Sequence, residues 1–145
     1  MPKKILILRF SSIGDIVLTT PVIRAIKTQL DEVELHYCTK KQFSFILESN
    51  PYIDHFHYLE DDMRVLGKKL QEEHFDFVVD LHNNLRTRRL KKIIRAESKA
   101  FPKLNWEKWL MVNLKVNKLP NVHIVDRYLE AALPLGIKND ALGLE

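Results

Sequence analysis

The sequence is poor in cysteine, in glycine and in long apolar runs, and each shortage excludes a class of protein. A single cysteine, Cys38, in 145 residues cannot build a disulfide framework and is typical of a reducing compartment. No apolar run is long enough to span a bilayer, and the N-terminal run is too short for a signal peptide. There is no HExxH, no paired-cysteine zinc spacing, no GxGxxG and no Walker loop. We therefore expect a cytoplasmic globular domain.

What the chain does contain is ordinary for one domain with a core of its own. Hydrophobic residues make up 46% and charged residues 29% of the sequence. The net charge of +4 permits a nucleic acid, an anionic membrane surface or a phosphorylated substrate as a partner, and selects none of them. Surface solubility alone would also explain it.

The N-terminal stretch 4–27 organises the sequence. The run Ile5-Leu-Ile-Leu8 predicts a parallel strand buried on both faces, and apolar residues recur at helical spacing after it. We expect one helix from about Gly14 to Leu30, kinked at Pro21; a helix that restarts with Thr20 as its cap is the alternative. The loop between strand and helix then lies at the carboxyl edge of the sheet, where free N–H groups favour anions. Spacing alone leaves Asp15 there as a first-turn acid or as a general base.

Strand and helix patterns alternate along the rest of the chain. This alternation predicts an α/β fold, a doubly wound parallel sheet with right-handed crossovers. One helix carries Val65, Leu66 and Leu70 inward, and Gly136 is a C-cap candidate for the last helix. Strands are expected over 33–38, 54–59, 74–80 and 98–101, and helices over 42–49, 61–73, 85–95, 106–116 and 122–135.

A second polar loop follows the fourth strand. Asp80 and His82 stand at the carboxyl end of that strand, and would share the sheet edge with Asp15. Arg86 opens the next helix four residues before Leu90, so it lies at the mouth of the buried face and points toward the same edge. The other basic residues of this helix are expected on its outer face, as solvated charge or as a patch for phosphates or anionic lipid: Arg88, Lys91, Lys92 and Arg95.

Two weaker patterns favour packing over chemistry. His55 and His57 share one face of a strand but have no evident third ligand, so we expect no metal site. Trp106 and Trp109 have helical spacing and are expected to pack; if exposed, they would suit a lipid or partner interface.

Three segments resemble one family. The segment 9–21, which reads RFSSIGDIVLTTP, resembles the opening motif of the lipopolysaccharide heptosyltransferases, the ADP-heptose-using glycosyltransferases of the two-domain GT-B fold. Residues 80–87 resemble an aspartate-rich strand end of that family, with His82 where members often have Gln and with Arg86-Thr87 where they often have Lys-Ser. Residues 122–137 resemble the helix that precedes its interdomain linker.

The resemblance implies an inverting transfer of heptose from ADP-heptose to a lipopolysaccharide inner-core acceptor. Asp15 would be the catalytic base, and the acceptor, a lipid-linked or phosphorylated sugar, would be bound by Ser11, Ser12, Gly14, His82, Arg86 and Thr87. No metal and no cofactor are implied. The expected location is the cytoplasm, at the inner face of its membrane, with peripheral membrane contact and without nucleic acid.

The resemblance also implies a division of the chain. Residues 1–138 would form the Rossmann-like acceptor-binding domain and residues 139–145 the start of the interdomain linker. The C-terminal domain, absent from this sequence, would bind the ADP-sugar, so we expect the isolated chain to be inactive. A face meant for a missing domain would favour self-association.

An alternative from another functional class is a non-catalytic phosphate- or nucleotide-binding module, or an interaction module, of flavodoxin-like topology. A response regulator would need an acidic pair after the first strand, and Arg9-Phe10-Ser11 stands there instead.

Overall fold

A five-stranded parallel sheet forms the centre of the computed structural model, which describes residues 3–11, 13–59, 62–100, 128–129 and 131–137. The strand order is β3-β2-β1-β4-β5, and every described pairing is parallel. The strands are β1 (Lys3–Leu8), β2 (Val33–Lys40), β3 (His55–Leu59), β4 (Phe77–Asp80) and β5 (Ser98–Ala100). The predicted α/β fold is confirmed. The flavodoxin-like topology given for the alternative is wrong, because that topology has the order 2-1-3-4-5.

Helices cover both faces of this sheet, as a doubly wound fold requires. They are α1 (Ile13–Val17), α2 (Thr20–Gln29), α3 (Ser44–Leu47), α4 (Met63–Glu72) and α5 (Leu85–Ile94). One face of the sheet packs Ile5 and Ile7 against α2 and the segment that contains Tyr128. The opposite face packs Leu6 and Leu8 against α4 and α5. The central strand is therefore buried on both faces, as its unbroken apolar run predicted.

The expected single kinked helix is instead two helices, which corrects the favoured prediction. Pro21 has no N–H to donate to the carbonyl of Val17, and the hydroxyl of Thr20 donates to that oxygen instead, at 2.9 Å. One residue earlier, the hydroxyl of Thr19 donates to the carbonyl of Ile16 and ends α1. A new helix begins at Thr20. The alternative prediction of a restarted helix is therefore nearly correct, except that Thr19 rather than Thr20 occupies the cap position.

Smaller differences concern the ends and faces of helices. Val65 is exposed, and the residues of α4 that face inward are Leu66, Gly67 and Leu70. The helix expected over 42–49 is a 3₁₀ turn (Lys41–Phe43) followed by the one-turn α3. Near the C-terminus, residues 128 and 129 are helical but Leu133–Leu135 is a 3₁₀ turn, so the helix expected over 122–135 does not run through to 135. Gly136 follows with φ of +79°, the conformation that a glycine cap provides.

Several expectations fall outside the described residues. They are Ser12, the helix over 106–116 with Trp106 and Trp109, and the linker from 139 onward. Among the residues that the structure does describe, no helix combines the length and apolarity needed to cross a membrane.

Candidate functional site

The loops that follow β1 and β4 meet at one edge of the sheet. β1 and β4 are neighbours, with Leu8 beside Asp80, yet the chain leaves β1 toward β2 and leaves β4 toward β5. Such a reversal opens a crevice beyond the carboxyl ends of the strands, and ligands of α/β folds bind there. The structure thus brings the two polar loops of the sequence together, as predicted.

Arg9 joins these two loops, and sequence reasoning did not select it as a site residue. Its Nη1 donates to the carbonyl oxygen of Leu81 at 2.9 Å, and its Nη2 lies 2.9 Å from Oδ2 of Asp15. The arginine is only 9% exposed, whereas the Asp15 side chain is 39% exposed. A buried guanidinium therefore fixes an accessible carboxylate at the mouth of the crevice. The sequence signal that could have identified Arg9 is a charged residue directly after a fully buried strand.

Asp15 is located in the first turn of α1, which has only five residues. A helix of this length has a small dipole, so the anion site expected at its N-terminus is not supported by the fold. Ser11 is half-buried in the loop before it, and Gly14 is exposed. A Cβ added at Gly14 would meet no atom within 4 Å, so packing does not require glycine there.

Asp80 is fully buried and organises the loop after β4. Its Oδ1 accepts from the N–H groups of His82 (3.0 Å) and Asn83 (2.7 Å), and Asn83 has the positive φ of a tight turn. Its Oδ2 lies 2.9 Å from Nζ of Lys91. Lys91 was expected on the outer face of its helix, and this is wrong: its long side chain follows the helix surface back to a buried carboxylate.

His82 and Arg86 both contact Phe10 in the loop after β1. The Phe10 N–H donates to Nδ1 of His82 at 3.1 Å, which places the ring proton of a neutral His82 on Nε2. The guanidinium carbon of Arg86 lies 5.5 Å from the centroid of the Phe10 ring, a cation–π distance. A guanidinium stacked on a ring still presents N–H groups at its rim, and these suit a carboxylate or phosphate.

Thr87 is buried, and its hydroxyl belongs to the helix cap. It accepts from the Asn84 N–H and donates to the Asn84 carbonyl, each at 3.0 Å, while Oδ1 of Asn84 accepts from the Thr87 N–H. This capping box starts α5 where Arg86 reaches the crevice. Thr87 thus positions Arg86, and its burial gives it no accessible surface for an acceptor.

Tyr128 connects the third resembling segment to this site. Its side chain is buried, and burial raises the pKa of Tyr128 to about 12, while the charge of Arg9 lowers it and that of Asp15 raises it. Tyr128 therefore remains protonated beside the Arg9–Asp15 pair. It also packs in the core, beside β1 and α2.

Two curated relatives match most of the chain. It is 26% identical over 135 residues to lipopolysaccharide heptosyltransferase 1 of Campylobacter coli, covering 87% of this chain and 40% of that protein. It is 24% identical over 143 residues to lipopolysaccharide core heptosyltransferase OpsX of Haemophilus influenzae, covering 94% and 41%. The chain thus spans about two fifths of the length of these relatives. No protein-family model matches it.

Solved structures show the same fold. A glycosyl transferase family 9 protein from Veillonella parvula superposes with a TM-score of 0.73 at 19% identity, over 99% of this chain and 45% of that one. The E. coli heptosyltransferase WaaC, solved with ADP, gives 0.71 at 15% identity, over 98% and 50%.

Sequence similarity and fold agree with the resemblance predicted from the three segments. In sequence, this chain is similar to lipopolysaccharide heptosyltransferases over about two fifths of their length, and in fold it is similar to solved structures that include a heptosyltransferase.

Proposed function

We propose that this chain is the acceptor-binding half of an inverting heptosyltransferase, with Asp15 as its general base. The observation that carries the proposal is the Arg9–Asp15 pair at the crevice between β1 and β4. The pair combines an accessible carboxylate with a nearly buried anchor, and a general base needs both access to the substrate and a fixed orientation.

The proposed reaction is a displacement at the anomeric carbon of heptose. The oxygen of an acceptor hydroxyl forms the new bond to that carbon as its proton passes to Asp15. The bond from the anomeric carbon to the ADP oxygen breaks, and ADP leaves with the electron pair. General-base assistance of this kind contributes about 100- to 10,000-fold in rate. The attack comes from the face opposite ADP, which inverts the configuration.

Arg86 and His82 are the residues we assign to holding the acceptor. Arg86 supplies a positive charge at the crevice, and the Phe10 ring holds its plane. The backbone of Phe10 orients the His82 ring through Nδ1. An acceptor with a phosphate or an acidic sugar matches this charge. Ser11 and Gly14 border the same loop, and Ser12 belongs to it in sequence.

The domain organisation, the donor and the cellular location are proposed from the similarity to the relatives. Residues 1–138 would be the acceptor domain, residues 139–145 would begin a linker, and the ADP-heptose donor would bind a further domain. An enzyme of this kind would act in the cytoplasm at the inner face of the membrane, where exposed Arg88 and Lys92 of α5 could meet anionic lipid. We expect the chain alone to show no transfer.

The test is an amide NMR titration of the chain with a deacylated, phosphorylated inner-core oligosaccharide, beside a titration with ADP. We expect shifts at residues 9–15 and 80–87 with the oligosaccharide and no saturable shifts there with ADP. Shifts at these residues with ADP alone would contradict the proposal, and so would no shifts with either ligand.

Matched variants of α5 sharpen this titration. Arg86→Gln should weaken acceptor binding about tenfold or more, because a charge-assisted contact is worth about 1.5–3 kcal/mol. Arg89→Gln removes an exposed charge from the same helix and should leave binding unchanged. Equal weakening in both variants would indicate attraction by net charge alone and would refute the role given to Arg86. In the complete enzyme, Asp15→Asn should lower kcat and leave acceptor binding largely intact.

A further inference from the structure

Three histidines and two glutamates meet at the amino end of the sheet, opposite the edge that carries the proposed acceptor site. Glu34 and His36 share one face of β2, and His55 and His57 lie on the same face of β3. The parallel register sets His36 directly beside His55, and Glu73 follows α4 over the same face. The sequence showed no third ligand for the two histidines of β3, and the neighbouring strand supplies it.

The spacing of the ligand atoms fits a single metal ion. Nε2 of His36 lies 3.0 Å from Oε2 of Glu34, and Nε2 of His55 lies 3.3 Å from Oε1 of Glu34. Two ligands about 2.0–2.1 Å from a tetrahedral zinc ion are about 3.3 Å apart, so these two distances are close to the required value. Glu73, whose Oε2 is 3.6 Å from Nε2 of His36, groups with His36 and His57 rather than with Glu34 and His55.

His57 has the geometry of an outer-shell partner. Its Nε2 lies 2.8 Å from Nδ1 of His36, a hydrogen bond rather than a ligand spacing. A metal on Nε2 of His36 leaves the ring proton on Nδ1, from which it donates to His57. Histidines that bind metals usually donate their second ring N–H in this way, which fixes the ring orientation. Phe75 packs edge-on against the rings of both His36 and His57.

The ammonium group of Lys4 would compete with a metal ion for the carboxylate of Glu34. Its Nζ lies 3.7 Å from Oε2 of Glu34 and 3.5 Å from Oε2 of Glu73, and it donates to the Glu73 carbonyl at 3.1 Å. The lysine is partly exposed, so its flexible side chain can withdraw to solvent when a divalent ion arrives.

We propose that Glu34, His36 and His55 form a three-ligand site for a divalent transition-metal ion of the zinc class. Imidazole and carboxylate donors select such ions over magnesium or calcium, which prefer oxygen ligands alone. The side chain of His55 is 54% exposed and gives the ion a path from solvent. A bound ion would tie β3 to β2. The proposal is independent of the transferase function.

The test is a calorimetric titration of the untagged chain with Zn²⁺, together with visible absorption of the Co²⁺ complex, which is intense for four-coordinate cobalt. We expect one equivalent to bind and the unfolding temperature to rise with Zn²⁺. His55→Asn removes an exposed ligand without disturbing the core and should weaken binding by about 10-fold or more. His36 is buried, so His55 is the variant of choice.

Two further variants make the test specific. His74→Asn is the matched control, because His74 is exposed, is not among the ligand groups and has a positive φ that asparagine tolerates. It should leave the affinity unchanged. Lys4→Met removes the competing ammonium and should strengthen binding. No saturable binding, equal loss in His55→Asn and His74→Asn, or weaker binding in Lys4→Met would each overturn the proposal.

Discussion

Removing the ammonium group of Lys91 should destabilise the chain more than neutralising its partner, Asp80. Asp80 is fully buried, whereas 18% of the Lys91 side chain is exposed. In Lys91→Met the carboxylate keeps its two backbone donors but loses its counter-charge, and it cannot reach water. Breaking a buried pair in this way costs about 3–5 kcal/mol.

Asp80→Asn leaves a less costly defect. The amide oxygen can still accept from His82 and Asn83, and the unpaired ammonium of Lys91 can swing toward solvent. The loss is then close to that of one charge-assisted hydrogen bond, about 1.5–3 kcal/mol. The double variant carries neither charge, so it should be more stable than Lys91→Met alone.

Urea unfolding followed by circular dichroism measures these differences, with Lys92→Met as the control. Lys92 is an exposed lysine on the same helix, and its replacement should change the free energy of unfolding by less than about 0.5 kcal/mol. Near the size of this chain, each kcal/mol corresponds to about 2–4 °C in Tm. A cost below about 1 kcal/mol for Lys91→Met, or a larger cost for Asp80→Asn than for Lys91→Met, would refute the reasoning.

Three further predictions concern the core. A Cβ at Gly67 would lie 2.7 Å from Cγ2 of Ile93, so Gly67→Ala should destabilise the chain by about 1–3 kcal/mol despite its better helix propensity, and Ile93→Ala should remove much of that penalty in a double-mutant cycle. Burial raises the pKa of Tyr37 and that of Tyr128, the latter to about 12, so the unfolded chain releases these protons first. Stability is then full below about pH 10 and falls by about 1.4 kcal/mol per pH unit for each tyrosine as the pH rises toward 12; Tyr128→Phe should flatten this slope in alkaline unfolding curves. Burial also raises the pKa of the Cys38 thiol, so its labelling by a thiol reagent should follow global unfolding, and fast labelling of the folded chain would contradict the burial.

The order of strands and helices could be predicted because each element is marked locally. An unbroken apolar run requires burial on both faces, and a parallel sheet with helices on each side provides it. The same local reasoning placed Asp15, His82 and Arg86 at one edge. It failed at Pro21, where the choice between a kink and a break depends on two threonine hydroxyls that bond to backbone carbonyls.

The contacts made by charged residues could not be predicted, because each depends on a partner far along the chain. Arg9 contacts a carbonyl 72 residues away. Lys91 has the helical position of a surface residue, and its side chain turns inward because it pairs with the buried carboxylate of Asp80. His36 becomes a neighbour of His55 through strand register. Periodicity reports which face of an element is buried, and it carries no information on these pairings.

The pairing of β1 with β4 has a consequence for how the chain folds. β1 can pair with β2 early, but the crevice requires residues 77–80 beside residues 5–8. At about 5–20 residues per second, a ribosome needs about 4–14 s to add the intervening segment. During that interval the edge of β1 that pairs with β4 has no neighbouring strand, and Arg9 has no Leu81 carbonyl to which it can donate. The nascent chain is most exposed to misassembly then, and the site is among the last parts to form.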